Sequence, residues 1–358
     1  MDNWAITAIA TRNYLHFART LAASVKKIHP DVPMIVCLVD EPPAGWERES
    51  ESFQTIRAAD LGIPNWRRFL FQYDPLELTC ALKSYLLAYL LRSTAFDRFL
   101  FLDGDVAAYS SLLPLVAALD DANILLTPQM ARPRSLAMLD RWEADILDTG
   151  AYNGGFIGLR RGETAREMLA WWQTRVAKLC KVRINMLDQG WLDAVPALFD
   201  GVRIERRAAF NLTPQNLHNR SLTRGLSGEP LVDGQPLGFF HFISIDPWQS
   251  EKLSKISRRP LPEEPLVVQE LFHAYAHELR SHGLEQCRAW GYQYATLSDG
   301  TPIAEGWREL IRLDHPALAG VEDPFALPAS TLMRLARQEK VKQLTSRAGR
   351  ILKRMLSP

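Results

Sequence analysis

Residues 98–105 run Arg98, Phe99, Leu100, Phe101, Leu102, Asp103, Gly104, Asp105. An unbroken apolar stretch of this length, with no alternation of polar residues, reads as a buried strand. It ends abruptly in two carboxylates separated by a glycine. In open parallel α/β sheets ligands bind outside the carboxyl ends of the strands, so acidic residues at that position carry more information than acidic residues elsewhere.

The flanking pattern agrees with an α/β chain. Trp4 to Ala10 is short and apolar, Tyr14 to Ile28 follows the helical period through Leu15, Ala18, Leu21, Ala22 and Val25, and Met34 to Val39 reads as a second buried strand. This β, α, β opening predicts a parallel sheet with crossover helices. Asp74 to Arg92 repeats the helical period, with Asp74 as N-cap and Pro75 at the first helical position, and feeds into the 98–102 strand. Further strands are expected at Asn123 to Thr127, Asn153 to Leu159, 202–205 and 239–245, and a Trp-rich helix from Glu163 to about Cys180. Beyond Pro260 the pattern changes to helices broken by prolines. The expected organisation is a catalytic-type α/β domain over 1–258, a helical extension over 259–327 and a basic helix over 328–358.

Composition narrows the class. The 358 residues are 47% apolar and 23% charged, ordinary for a folded protein, and the formal net charge is +1, which excludes a uniformly basic nucleic-acid binder. Cys37, Cys80, Cys180 and Cys287 form no CxxC pair, so no zinc knuckle or redox motif is expected, and their sparse use fits a reducing compartment. No basic n-region precedes an apolar stretch, and no run approaches the ~18 residues of a membrane span. A cytoplasmic protein is the expectation.

Asp103 and Asp105 can converge on one hard cation while the intervening glycine keeps the backbone close to a phosphate; an Asp-Gly turn with solvated carboxylates also fits. His241 lies in the otherwise apolar Gly238 to Ser244, as a hydrogen-bonded core residue or as a third ligand. An imidazole with two carboxylates suits Mn²⁺ or Mg²⁺. Gly154 and Gly155 after Asn153 let a backbone approach a ligand, or simply start a strand. Asp188 and Gln189 offer a carboxylate and an amide at a helix start, where an N-cap is the plainer role. Lys83 on the apolar 74–92 helix either snorkels or neutralises phosphate.

Taken in order, Ala10 to Tyr14, Glu77 to Lys83, Phe101 to Asp105, Tyr152 to Phe156, Asp188-Gln189 and Phe240 to Ser244 resemble the metal-dependent glycosyltransferases of the GT-A fold. The likeness is to the retaining, family-8-like bacterial enzymes of lipopolysaccharide and exopolysaccharide synthesis, and it covers most of residues 4–256. The resemblance implies a Rossmann-like, mainly parallel mixed sheet flanked by helices. It implies that Asn13 and Tyr14 contact the base and ribose of a nucleotide-diphosphate sugar, a UDP-hexose, and that Lys83 lies near the donor phosphates. Asp103, Asp105 and His241 would hold Mn²⁺ against the diphosphate. Asn153, Gly154 and Gly155 would face the sugar, and Asp188 and Gln189 would flank the anomeric carbon. It implies a glycan or lipid-linked acceptor and same-face attack by the acceptor hydroxyl.

The chain departs from the family at two points. Ser244 stands where the family's His-Phe-x-Gly has glycine, and Ile245 to Trp248 replaces a Lys-Pro-Trp segment, so a phosphate-binding lysine is missing; Lys255 or Lys252 is the candidate substitute. For the acceptor, the loop Phe210 to Arg220 offers Asn216, His218 and Arg220, or is only a solvated connection. Trp142, Trp171, Trp172 and Trp191 are either sugar platforms or core. From Pro328 onward Arg334, Arg337, Lys340, Lys342, Arg347, Arg350, Lys353 and Arg354 face Glu339 alone, giving +7 and leaving −6 for the rest. With Val341, Leu344, Ala348, Ile351, Leu352 and Met355 at helical spacing, this tail fits an anionic membrane surface or a helix docked on the protein. The rival readings are an inactive sugar-binding or scaffold protein of the same fold, and a sugar nucleotidyltransferase; the latter needs a glycine-rich basic loop that Ala10 to Tyr14 lacks.

Overall fold

The computed structural model describes residues 3–133, 149–181, 187–217, 220–248, 252, 255 and 261–355, with side chains to residue 342. It divides into two compact units, residues 1–61 with 79–292, and residues 62–78 with 293–358.

In the first unit the chain opens as expected with β1 (Trp4–Ala10), α1 (Leu15–Ile28) and β2 (Met34–Leu38), and adds an edge strand β3 (Gln54–Arg57) whose half-exposed polar residues gave no apolar signal. After α2 (Trp66–Phe71) comes α3 (Pro75–Ser93). The start of α3 is a reciprocal cap: the Glu77 backbone N–H donates to Asp74 Oδ1 at 2.9 Å, and the Asp74 N–H donates to Glu77 Oε2 at 3.3 Å. Helix α3 leads into β4 (Arg98–Leu102), then β5 (Val106–Ala108), α4 (Leu113–Ala118), β6 (Ile124–Pro128), β7 (Tyr152–Arg160) and α5 (Glu163–Leu179). Short helices α6 (Gln189–Leu192) and α7 (Val195–Leu198) precede β8 (Val202–Ile204).

The main sheet has the order β3-β2-β1-β4-β7-β6-β8. All neighbours pair in parallel except β7, which is antiparallel to both β4 and β6. That single reversal matters for the site, because it brings the start of β7 to the carboxyl end of β4. The interior of β4 is fully buried from Phe99 to Leu102. Leu100 and Leu102 join Ile6 and Ala8 of β1 under Leu15, Ala18 and Leu21 of α1 and Leu115 and Val116 of α4. Phe99 and Phe101 project from the opposite face, as strand alternation requires.

Small strands β9 (Leu222–Arg224), β10 (Pro230–Val232) and β11 (Gln235–Pro236) form a separate sheet, and β12 (Phe239–His241) pairs antiparallel with β5. The strand expected over 239–245 therefore stops at His241. Ser244 then adopts a positive φ of 57°, a conformation in which glycine is unstrained and other residues are not, so the serine sits in glycine's backbone geometry.

The expected boundary near 258 does not coincide with the edge of the compact unit, which falls at 292. Helices α8 (Leu266–Ser281) and α9 (Leu284–Trp290) belong to the first unit for an aromatic reason. Tyr275 of α8 stacks on Phe242 with centroids 3.9 Å apart, and Phe272 packs edge-on against Phe240 at 5.4 Å. Phe17 of α1 belongs to the same cluster.

The second unit holds α2, the start of α3, α10 (Glu305–Arg312) and α11 (Ala329–Met355). Buried Arg308 of α10 donates to the carbonyls of Phe71 and Tyr73, at 3.0 and 2.6 Å, satisfying backbone between α2 and α3. Leu332 and Leu335 are buried at the start of α11, whereas Val341 is exposed. The side chains of Leu344, Arg347, Ala348, Arg350, Ile351, Leu352, Lys353, Arg354 and Met355 lie outside the described residues. Among the described residues, no helix is long and apolar enough to cross a membrane, and all four cysteines are buried free thiols.

Candidate metal and nucleotide site

The acidic turn is built by two strand pairings. Leu102 pairs with Phe156, which sets Gly155 opposite Asp103, whose N–H donates to the Gly155 carbonyl at 2.9 Å. His241 pairs with Val106, and the Phe242 N–H donates to the Asp105 carbonyl at 2.8 Å. Asp103, Asp105 and His241 consequently converge, with one potential ligand atom from each lying within 4.8 Å of the others. His241 Nε2 stands 2.9 Å from Asp105 Oδ1 and 3.9 Å from Asp103 Oδ2. The set therefore fits one hard divalent cation of the Mn²⁺ or Mg²⁺ kind.

Burial pushes the Asp103 carboxyl up from its ordinary value. Asp105 goes the other way: burial alone would raise it, but the neighbouring His241 holds it down. The His241 imidazole, which burial would depress, is pushed up by Asp105. Its Nδ1 is buried and has no hydrogen-bond partner.

Steric room for this imidazole comes from one missing side chain. A Cβ on Gly155 would stand 2.1 Å from His241 Cε1 and 2.5 Å from Nδ1, so any side chain there would push the imidazole out of its place. A Cβ on Gly154 would meet Asp188 Oδ2 at 3.1 Å. The glycine pair thus lets β7 lie against both groups. Asn153 orders the same turn: its Oδ1 accepts from the Gly155 N–H at 2.9 Å and its Nδ2 donates to Gln129 Oε1 at 3.2 Å.

Lys83 does not snorkel. It is 3% exposed, and its Nζ donates to the Gly154 carbonyl at 2.9 Å and lies 3.2 Å from both Asp103 Oδ1 and Asp188 Oδ2. Burial alone would lower its pKa, but Asp103 and Asp188 hold it well above the usual lysine value. Asp188 is buried at the N-cap position of α6, and Gln189 Oε1 accepts from the Gly154 N–H at 3.0 Å while its Nε2 donates to the Thr149 carbonyl at 2.6 Å.

Asn13 and Tyr14 lie apart from the Asp188 end, in a cavity of about 320 Å³ shared with His16, Phe17, Trp248, Lys255 and Arg288. Phe17, which lines this cavity, has its Cβ 3.5 Å from where a Cβ on Gly104 would stand. Lys255 is held there by its backbone N–H, which donates to the Ser244 carbonyl at 2.9 Å. A larger cavity of about 560 Å³ is lined wholly by second-unit residues of α10, α11 and the segment between them; no metal-ligand cluster occurs there among the described residues.

Of the expected acceptor residues, Asn216 and Arg220 have partners within the fold. The Asn216 carbonyl oxygen accepts from the Thr213 N–H at 2.9 Å and its amide donates to the Asn211 carbonyl at 3.0 Å, so its polar groups close the loop. Arg220 donates to the Ala208 carbonyl at 2.8 Å, and burial lowers its pKa to about 10. His218 lies outside the described residues, as does Trp142. Trp172 is fully buried core, and Trp171 packs against Trp191 and Phe199.

No protein-family model matches the chain. Among curated proteins, YfnF of Bacillus subtilis (strain 168), an uncharacterized protein, is 23% identical over 294 residues, covering 78% of this chain and 93% of YfnF. YfnD of the same strain, also uncharacterized, is 26% identical over 151 residues, 41% of this chain and 46% of YfnD. Among solved structures, the galactosyltransferase LgtC in complex with donor and acceptor sugar analogs superposes with a TM-score of 0.50 at 18% identity, covering 78% of this chain and 99% of LgtC. The glycosyltransferase GlyE of Streptococcus pneumoniae TIGR4 gives 0.46 at 15% identity, over 79% of this chain and 64% of GlyE. The chain has the GT-A fold. Within that fold, the acidic turn at the end of β4 and the start of β7 form one cluster, and Phe17 of the cavity beside α1 packs near Gly104 of that turn.

Three site residues escaped sequence reading. His16 was hidden as a polar residue on the buried face of α1, Gln129 as a residue just past the end of β6, and Arg288 in a helix expected to lie outside the domain. Of these, only Gln129 carried a usable signal, its place at a strand end.

Two outcomes follow. Gly155→Ala should fold but lose roughly 10–100-fold in Mn²⁺ affinity by isothermal titration, the range seen when the support of a metal ligand is disturbed. His16 is buried, and its imidazole is pushed down to about 3 by burial, with Arg19 and Arg288 adding to the effect. Below the ordinary value of 6.5 the unfolded chain binds this proton and the folded one does not, so stability rises with pH across that interval. This contribution is complete above about 6.5 and is lost progressively toward about 3. The urea midpoint of the wild type should therefore fall further between about pH 7.5 and 5 than that of His16→Phe.

Proposed function

We propose that the protein is a glycosyltransferase that moves a hexose from a nucleotide-diphosphate sugar, a UDP-sugar, to a glycan or lipid-linked acceptor of surface polysaccharide synthesis. The observation that carries this reading is the convergence of Asp103, Asp105 and His241 beside a buried Lys83 that is itself paired with Asp188. On a GT-A fold, such a cluster at the carboxyl end of a central strand suits a diphosphate bridged by a divalent cation.

Mn²⁺ held by Asp103, Asp105 and His241 would supply Lewis acidity that offsets charge on the leaving diphosphate. Lys83, fixed by Asp103, Asp188 and the Gly154 carbonyl, adds a positive charge near that oxygen without reorganising. Asn13 and Tyr14 take the base and ribose, the exposed Tyr14 ring serving as a stacking face, and Lys255 stands in for the missing phosphate-binding lysine. Asn153, Gly154 and Gly155 face the sugar at the start of β7, with the two glycines leaving room for His241 and Asp188 behind them. Asp188 and Gln189 flank the anomeric carbon. We read the transfer as retaining: the acceptor hydroxyl attacks from the face the diphosphate leaves, and its proton passes to the departing phosphate oxygen. Asn216, His218 and Arg220 remain the proposed acceptor loop, acting through its shape where their polar groups are already bonded.

The protein works, in this reading, on the cytoplasmic side of a membrane. Arg347, Arg350, Lys353 and Arg354 near the end of α11 attract anionic lipid at roughly 1 kcal/mol per basic group near the surface, while Leu332 and Leu335 anchor the start of the helix.

A thermal-shift screen with UDP-, GDP- and dTDP-sugars tests the donor. Stabilisation by a UDP-sugar that requires Mn²⁺ and disappears in Asp103→Asn and Asp105→Asn is expected, with transfer and UDP-sugar hydrolysis falling at least ~100-fold. Stabilisation by none of these ligands would overturn the reading. For the membrane arm, removal of residues 343–358 should abolish sedimentation with vesicles containing phosphatidylserine while leaving UDP-sugar hydrolysis intact; unchanged sedimentation would refute it.

A further inference from the structure

We propose that His16 reads the hydrogen-bonding edge of the nucleobase in the cavity beside Tyr14, and so sets which nucleoside diphosphate the chain accepts. The inference rests on the donor reading above and names the residue that gives it base selectivity.

His16 lies in the first turn of α1, two residues beyond Tyr14, and is 2% exposed. Neither ring nitrogen has a hydrogen-bond partner. The same holds for Oδ1 of Asn13, which lines the cavity with it. Buried polar atoms are almost always matched, so two unmatched groups lining one cavity point to a ligand that matches them.

The groups around His16 leave its ring nitrogens unmatched. Tyr14 and Phe17 flank the ring at centroid distances of 6.0 and 4.5 Å. Arg19 donates to Glu51, to the His282 carbonyl and to Cys287 Sγ. The Arg288 guanidinium lies over the Trp248 ring, 4.0 Å from its centroid. Two cations beside a buried imidazole keep a third positive charge off it, so the ring presents one donor and one acceptor. That pairing complements the mixed donor and acceptor edge of a nucleobase. It does not suit an anion, for which Arg288 and Lys255 are available in the same cavity. Phe17 of this cavity packs beside Gly104, between Asp103 and Asp105 in the chain, and in this proposal a base held by His16 directs its diphosphate to those carboxylates.

Calorimetric titration of the full chain with UDP, GDP, dTDP and pyrophosphate, each with Mn²⁺, tests this. The wild type should favour one nucleotide over the others by at least about tenfold, the scale of one good hydrogen bond. His16→Phe, which keeps the ring and loses both nitrogens, should bind all three within about threefold and leave pyrophosphate binding unchanged. His16→Asn, which restores a donor and an acceptor, should recover part of the preference. If His16→Phe does not fold, His16→Ala read by the same ratio replaces it. A preference retained in the variant overturns the inference while the donor reading stands. So does wild-type binding of nucleotides no tighter than pyrophosphate. Failure of the wild type to bind any of the four with Mn²⁺ would bring down the donor reading and this inference together.

Discussion

The site hangs on one buried ammonium. Lys83 projects from α3 into a space bounded by the end of β4, the start of β7 and the N-terminus of α6, and it touches all three: Asp103, the Gly154 carbonyl and Asp188. A lone buried charge is too costly to keep, and each of these contacts offsets part of its desolvation. The reverse also holds. Asp188 is 2% exposed and depends on Lys83 for its counter-charge, so the residue at the head of α6 is positioned by a side chain far from it in sequence. Gln189 follows, because its amide bridges the Gly154 N–H and the Thr149 carbonyl.

Charge then determines what the cluster can accept. Lys83 balances Asp188 and part of Asp103, while Asp105 leans on His241 and lifts its affinity for a proton. Only a neutral imidazole ligates, so a cation at Asp103, Asp105 and His241 competes with any proton that Asp105 draws to the ring. Two carboxylates beside that imidazole offer a divalent ion a hard donor set. The geometry depends equally on an absence, because only glycine at 155 leaves room for the imidazole.

Much of this was legible in the residues. The strand at 98–102, the cap at Asp74, the helix at α1 and the glycine-led strand at β7 follow from period, capping chemistry and apolar runs, and those elements bring Asp103, Asp105, Lys83, Gly154, Gly155, Asp188 and Gln189 to one place. What stayed hidden was of a different kind. Strand β3 lies at an edge with only Thr55 buried, so it has no apolar signature. The segment 62–78 joins residues beyond 292 through Arg308 and backbone carbonyls, a pairing that no local pattern announces. Helix α8 looked like an extension because prolines precede it, yet Phe272 and Tyr275 complete an aromatic cluster around β12.

The loop Phe210 to Arg220 shows what residue type alone leaves open about binding. Its amides, histidine and arginine suit sugar hydroxyls in composition, but a polar group already bonded inside the fold offers a ligand little that it did not have from water. Asn216 and Arg220 each hold a carbonyl of the fold, so their proposed acceptor role rests on the shape of the loop. His16 is the converse case. Composition marks it as one polar residue on an apolar helix face, the commonest kind of satisfied core histidine, and only the structure shows that both nitrogens are unmatched and line a cavity with Asn13 and Arg288. Selectivity in such a site belongs to the groups the fold has left without partners, and those are found by accounting for hydrogen bonds one atom at a time.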